Sequence, residues 1–281
     1  MDFYCETTTY LLLLATKSIH MPPPVMWKSM ARLAAAILLA HGAAVKADYT
    51  PPASSADVLK GVKLNGIPVG LKYRERFKEC DLGDTCNKVP LRYGCRADPN
   101  SNSVLNRLKD DVIFFDAKMG LDTDGAPLKE SEPTHQSETS LKYQIPGDIS
   151  INSDRVPFIV IPLGGFDNDT GVRLGDIAAV IYKNKKVYAV VADQGPKCKI
   201  GEGSIQLHEM LGHKVCKSRD SQGNCTSIRD VGIGKDVLYF IFPGTRDELF
   251  SDRNGEPLNP SNINRRLQDI GGRLWNSFIA P

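Results

Sequence analysis

Two carboxylates stand in settings that suit chemistry. Asp193 follows the apolar run Val187–Ala192 and opens the polar stretch Gln194-Gly195-Pro196-Lys197. Glu202 lies between Gly201 and Gly203, just before a segment with helical spacing. Glycines beside an acid let the backbone turn sharply and leave room for a large ligand. A pair of acids is the equipment of glycoside hydrolysis, in which one protonates the leaving oxygen and the other activates water or attacks carbon. The competing structural roles are ordinary ones. Asp193 would cap a loop, and Glu202 would favour the positive end of the following helix.

Other chemistries find less support. Asp122-Thr123-Asp124-Gly125 has the form of half a calcium loop, without the remaining ligands or the Glu at its twelfth position. Together with Asp110, Asp111, Asp116, Glu130 and Glu132 it reads as an acidic rim for a cationic ligand or as a solvated loop. His208 and His213 are five positions apart, one too many for the HExxH zinc arrangement. Ser204 does not sit in a GxSxG elbow, and the chain has neither a GxGxxG nor a P-loop. No metal and no cofactor is expected.

The elements that must position Asp193 and Glu202 are short strands. Phe158–Ile161, Ile177–Tyr182, Lys186–Ala192 and Val237–Phe242 are apolar runs bounded by turn residues, and Val112–Phe115 is a further strand candidate. Val62–Tyr73 alternates around Asn65-Gly66, a hairpin signal. Helical spacing marks Ser204–Leu211 and a C-terminal segment from about Ile263. Gly120–Ser140 is a long polar stretch of the kind that forms a rim or an Ω-like loop. This is a mainly β, barrel-like chain with short helices.

Residues 26–47 have the form of a secretory signal peptide: Lys28 and Arg32, then the apolar run Ala31–Ala40, then a small-x-small site at Val45-Lys46-Ala47. Residues 1–47 are therefore read as a leader, 48–109 as a cysteine-rich N-terminal region, 110–250 as the catalytic core and 251–281 as a helical tail on the same domain. The formal charge of +2 is carried by the leader, so the mature chain is close to neutral. That balance argues against nucleic acid or an anionic membrane as partner. Six cysteines follow the leader: Cys80, Cys86, Cys95, Cys198, Cys216 and Cys225. An even number after an export signal favours three disulfides, and two groups of three require at least one bond between groups.

In order and spacing, several segments resemble the fungal-type chitosanases of glycoside hydrolase family 75. They include Phe115–Gly125 with its Asp122-Thr123-Asp124-Gly125, Gln136–Ser140, Phe158–Pro162, Gly175–Val180, Val190–Asp193, Gly201–Ile205 and Phe242–Gly244. The resemblance implies a six-stranded barrel of the double-psi kind. It also implies an essential aspartate at a strand end and a glutamate nine positions later, matched by Asp193 and Glu202. It implies inverting, metal-free cleavage of internal β-1,4 links of chitosan by a secreted monomer. On this pattern Glu202 is assigned as the acid and Asp193 as the base, while Asp122, Asp124 and Asp176 are assigned to binding the substrate's amines. Thr123 and the stretch Ala192–Pro196 depart from the usual family pattern. Another amino-sugar polymer, such as peptidoglycan, and a non-catalytic carbohydrate-binding role are the alternatives.

Overall fold

The computed structural model describes residues 46, 48–91, 95, 104–128, 135–252 and 255–280. Of the expected leader, residues 1–45 and 47 lie outside the described residues, as do Glu130 and Glu132. Lys46–Pro281 forms one unit.

Among the described residues twelve strands occur in chain order: β1 (Ile67–Pro68), β2 (Thr85–Cys86), β3 (Val89–Pro90), β4 (Leu105–Arg107), β5 (Ile113–Asp122), β6 (Phe158–Pro162), β7 (Ile177–Tyr182), β8 (Lys185–Gly195), β9 (Glu202–Ser204), β10 (Cys216–Arg219), β11 (Cys225–Ile228) and β12 (Gly232–Phe242). Five helices accompany them: α1 (Leu71–Gly83), α2 (Phe166–Thr170), α3 (Ile205–Met210), α4 (Arg246–Phe250) and α5 (Ile263–Ile279).

Six of the strands close on themselves in the order β5-β12-β7-β8-β6-β9, with β9 returning to β5. Closure leaves these six without a free edge. Two pairings, β5 with β9 and β6 with β8, are parallel, and the others in the ring are antiparallel. The expected six-stranded barrel is thus present. β4 and β1 extend the sheet beyond β5.

Alternation along the strands separates an inner core from those on the outer faces. Ile159, Ile161, Ala178, Val180, Val191, Tyr239 and Ile241 belong to one cluster, with Met119. Their neighbours Phe158, Val160, Ile177, Val190 and Ala192 belong to another, with Ile263, Leu267 and Ile270 of α5. Trp275 and Phe278, further along α5, meet Phe114 and Phe240 in a third. The amphipathic stripe of α5 therefore covers an outer face of the barrel.

The six described cysteines pair as Cys80–Cys95, Cys86–Cys198 and Cys216–Cys225. The second is the required bond between groups, and it ties the β2–β3 hairpin to the segment before Glu202. The expected hairpin at Asn65-Gly66 is a correction. Ile67 and Pro68 pair instead with Arg107 and Asn106 of β4. From Leu71 the chain is helical, burying Tyr73, Phe77 and Cys80 along one face.

Candidate active site

β6 is the strand that brings the two acids together. Val160 is paired with Asp193 on its parallel neighbour β8 and with Glu202 on its antiparallel neighbour β9. The carboxylates thus flank one residue, two strand spacings or roughly 9.5 Å apart at the backbone. Simple alternation would not achieve this. Ile159 is opposite Val191, so the next pair would be Val160 with Ala192. β8 carries an extra residue there, and the register shifts to Asp193. The bulge turns Asp193 to the side on which Glu202 stands, a common use of bulges near active sites.

Two glycines make the approach possible. Gly201 has φ +78°, and a Cβ there would lie 2.2 Å from the Lys118 carbonyl oxygen. Only glycine fits so close to β5 in that conformation. At Gly195 a Cβ would lie 2.8 Å from Oε2 of Glu202 and 3.2 Å from Cγ1 of Val160. The glutamate therefore reaches across β6 toward β8, into space that the missing side chain leaves.

Asp193 is buried, with 4% of its surface exposed. Its Oδ1 accepts hydrogen bonds from the Ser140 N–H (3.0 Å), the Ser140 hydroxyl (2.5 Å) and the Gln194 N–H (2.7 Å). Its Oδ2 is buried without a hydrogen-bond partner. Glu202, 8% exposed, forms an ion pair through Oε1 with the Lys199 ammonium at 2.5 Å.

Asp122 and Asp124 join them. One cleft of about 370 Å³ is lined by all four acids together with Leu91, Gln136, Gln194, Gly195, Pro196 and Lys199. Asp122 accepts from the Asp124 N–H at 2.8 Å. Asp124 accepts from the N–H and the side-chain amide of Gln136, at 2.6 and 3.0 Å. Asp122, Asp124 and Asp193 each place an oxygen within 4.8 Å of the other two, so these are the residues that could hold a cation. Burial and then the charges of Asp124 and Glu202 push the Asp122 carboxyl well above its usual range. Burial, opposed by the Gln136 hydrogen bonds and reinforced by Asp193 and Glu202, pushes Asp124 up to about 7.

A raised carboxyl binds its proton more tightly in the folded state than in the unfolded chain. Its stabilising contribution is therefore complete below the ordinary value near 3.8 and is lost as pH rises toward 7. Melting temperature is expected to fall with pH across that window, and Asp124→Asn is expected to flatten the fall. Thermal melts of both proteins between pH 4 and 8 check this. Parallel curves would show that Asp124 is not responsible.

Asp176, assigned with Asp122 and Asp124 to substrate binding, is not among the acids brought together here. It is fully buried and does not line the cleft. Its oxygens accept from the backbone N–H groups of Arg173 at 2.8 Å and Arg246 at 3.0 Å, which fixes the turn before β7 to the start of α4. His208 is also structural. It is buried, with Nδ1 2.9 Å from the Ser204 carbonyl and Nε2 3.1 Å from that of Met119. Ser140, Gln136, Lys199, Gly195 and Leu91 received no role from sequence. Nothing local distinguishes them, since their parts depend on which strands meet.

A closed β-barrel with acids gathered along one cleft has the parts of a polysaccharide hydrolase. The family model of the fungal chitosanases of glycosyl hydrolase group 75 matches residues 119–277, more than half of the 281. The chain belongs to this family and is a chitosanase-like glycoside hydrolase, with a chitosan-like polymer as its substrate class. No curated protein matches the chain. Among solved structures, the Streptomyces papain inhibitor (SPI) is similar at 18% identity over 46% of this chain and 94% of its own, with a TM-score of 0.25. Likeness at that level carries no argument.

Proposed function

We propose that this protein hydrolyses internal β-1,4 links of chitosan with inversion at the anomeric carbon, using Asp193 and Glu202 as the working pair. The observation that carries the reading is their common pairing with Val160. It separates the backbones by roughly 9.5 Å and turns both side chains to one cleft. Inversion is the course that the family resemblance implies; it requires carboxyl groups about 6.5–9.5 Å apart, with room for the attacking water, whereas a pair about 5–5.5 Å apart would suit a covalent intermediate. Asp122 and Asp124, beside them, offer oxygens to the amine of a glucosamine unit. An arriving ammonium compensates the crowding of these acids and favours their ionised form.

The protein acts outside the cell as a monomer. Three disulfides among the described residues favour an oxidising compartment, and residues 26–47 have the pattern of an export signal. Among the described residues no helix is long and apolar enough to cross a membrane.

The test is proton NMR of the first products released from chitosan, with chitin, cellulose and peptidoglycan run in parallel. Cleavage of chitosan with the α-anomer appearing first is expected. Initial β-anomer would overturn the inverting mechanism, and reducing ends from peptidoglycan alone would overturn the substrate.

A further inference from the structure

A second cavity, of about 700 Å³, opens on the other side of residues 150–155 from the cleft. Sites for small molecules commonly enclose about 300–1,000 Å³. Ile151 and Ser153 bond to the cleft side. The Ile151 N–H donates to the Thr139 hydroxyl at 2.9 Å, and the Ser153 hydroxyl donates to the Asp122 carbonyl at 2.5 Å. Ser150, Asn152 and Asp154 alternate with them and line the second cavity.

The facing wall comes from segments distant in sequence. Arg219 of β10 donates to both oxygens of Asp154 at 2.8 and 2.9 Å, and Asp154 also accepts from the Cys225 N–H at 2.7 Å. Arg155 donates to the Gln222 carbonyl at 3.0 Å and to the side-chain oxygen of Asn224 at 2.8 Å. Asn264 of α5 donates to the Arg155 carbonyl at 3.0 Å, and the Cys216–Cys225 bond staples the hairpin. The cavity is therefore preformed.

Its chemistry is opposite to that of the cleft. Asp154 is the acid among its lining residues, and its side chain is fully buried with both oxygens already engaged. Among the described residues the Arg155 guanidinium is held only by neutral oxygens. An arriving glucosamine ammonium would meet a cation and no free carboxylate. The other polar groups are unspent. Gln206 and Tyr143, the latter 4% exposed, make no side-chain hydrogen bond among the described residues. Burial pushes the Tyr143 phenol up to about 12, so it stays an O–H donor. Asn264 keeps its amide oxygen free and Asn152 its amide nitrogen. Amides and a phenol match hydroxyls and an acetamide, which donate and accept together. A simple anion would leave the amide oxygens without donors. Ile149, 44% exposed, and Pro260 add apolar surface for a methyl group.

We propose that this cavity is a second, non-catalytic carbohydrate site that takes neutral N-acetylglucosamine units. A partly acetylated polymer would then be gripped through its acetylated units here, while the acidic cleft receives its glucosamine units. The site lies apart from the cleft, and its test is binding, not cleavage.

The experiment is proton–nitrogen correlation NMR of the protein titrated separately with N,N′-diacetylchitobiose, with the corresponding glucosamine disaccharide and with glucuronate. Saturable shifts of the side-chain amides of Asn152, Gln206 and Asn264 are expected with the acetylated disaccharide and not with the glucosamine one. Gln206→Ala removes a side chain that bonds to nothing in the fold, and it is expected to raise Kd about 3–10-fold, the worth of one or two neutral hydrogen bonds. Should that variant not fold by thermal melting, Arg155→Met gives the same readout. The inference is overturned by no saturable shift, by shifts confined to Gln136 and Gln194 of the cleft, or by an equal response to the glucosamine disaccharide. A response to glucuronate alone would make this an anion site, and an unchanged Kd in the variant would place the sugar elsewhere. None of these outcomes bears on the two-acid reading, which chitosan cleavage tests.

Discussion

Glu202→Gln is expected to lower turnover on chitosan by about 10²–10⁴-fold while polymer binding is retained. The substitution preserves the shape of the side chain, and the missing Cβ of Gly195 leaves the amide the room that the carboxylate had. What it removes is the ability to take or give a proton. A loss of 10⁴ corresponds to about 5.4 kcal/mol of transition-state stabilisation. Asp193→Asn is expected to be comparably inactive. The double variant is expected to be little worse than either, because acid and base act as a unit. Some loss of melting temperature should accompany Glu202→Gln, since it leaves the Lys199 ammonium near a neutral partner in a poorly hydrated place. Steady-state rates, binding to immobilised chitosan and thermal melts separate these effects. Turnover within about threefold of wild type would remove Glu202 from the chemistry, since the loss expected of a general acid or base is far larger.

The parts of this site that sequence reveals are those with a local signal. Val237–Phe242 and Lys186–Ala192 are apolar enough to be recognised as strands, and they lie within β12 and β8. The helix at Ile205–Met210 follows from its spacing, although Ser204, read as its first residue, stands outside it and caps it through a hydrogen bond from the Leu207 N–H. β9 has no such signal. Glu202-Gly203-Ser204 is too short and too glycine-rich to prefer extension, and it becomes a strand because β5 and β6 offer it partners on both sides. β5 was legible only at Val112–Phe115, yet it continues to Asp122. Asp116 and Lys118 interrupt its apolar run, and pairing with β12 and β9 overrides them. The bulge that aims Asp193 is a matter of register between strands distant in sequence. The aspartate and glutamate can therefore be nominated from one chain, but their common partner Val160 cannot.

The same dependence on distant segments makes the Cys86–Cys198 bond the strongest single tie in the site. It joins residues 112 positions apart, and a loop of that order restrains the unfolded chain by about 4–5 kcal/mol in the loop-entropy account. Cys216–Cys225 spans only nine positions, in the β10–β11 hairpin, and by the same account contributes about 2.5–3 kcal/mol. Replacing both Cys86 and Cys198 by Ser is expected to lower melting temperature by about 10–15 °C, given about 2–4 °C per kcal/mol for a domain of this size. The Cys216 and Cys225 double replacement is expected to cost clearly less. The functional contrast should be sharper. Cys198 adjoins Lys199, and the hairpin carrying Cys86 is followed by Leu91 at the cleft wall. Lys118 of β5 reinforces that connection through an ion pair with Asp81 at 2.9 Å. Well below either melting point, the first variant is expected to show reduced kcat and raised KM on chitosan, and the second to retain wild-type kinetics. Calorimetry and initial rates at 20 °C decide it. Equal kinetic losses would mean that the long-range bond only stabilises the fold, and that the cleft holds its lysine and its wall without it.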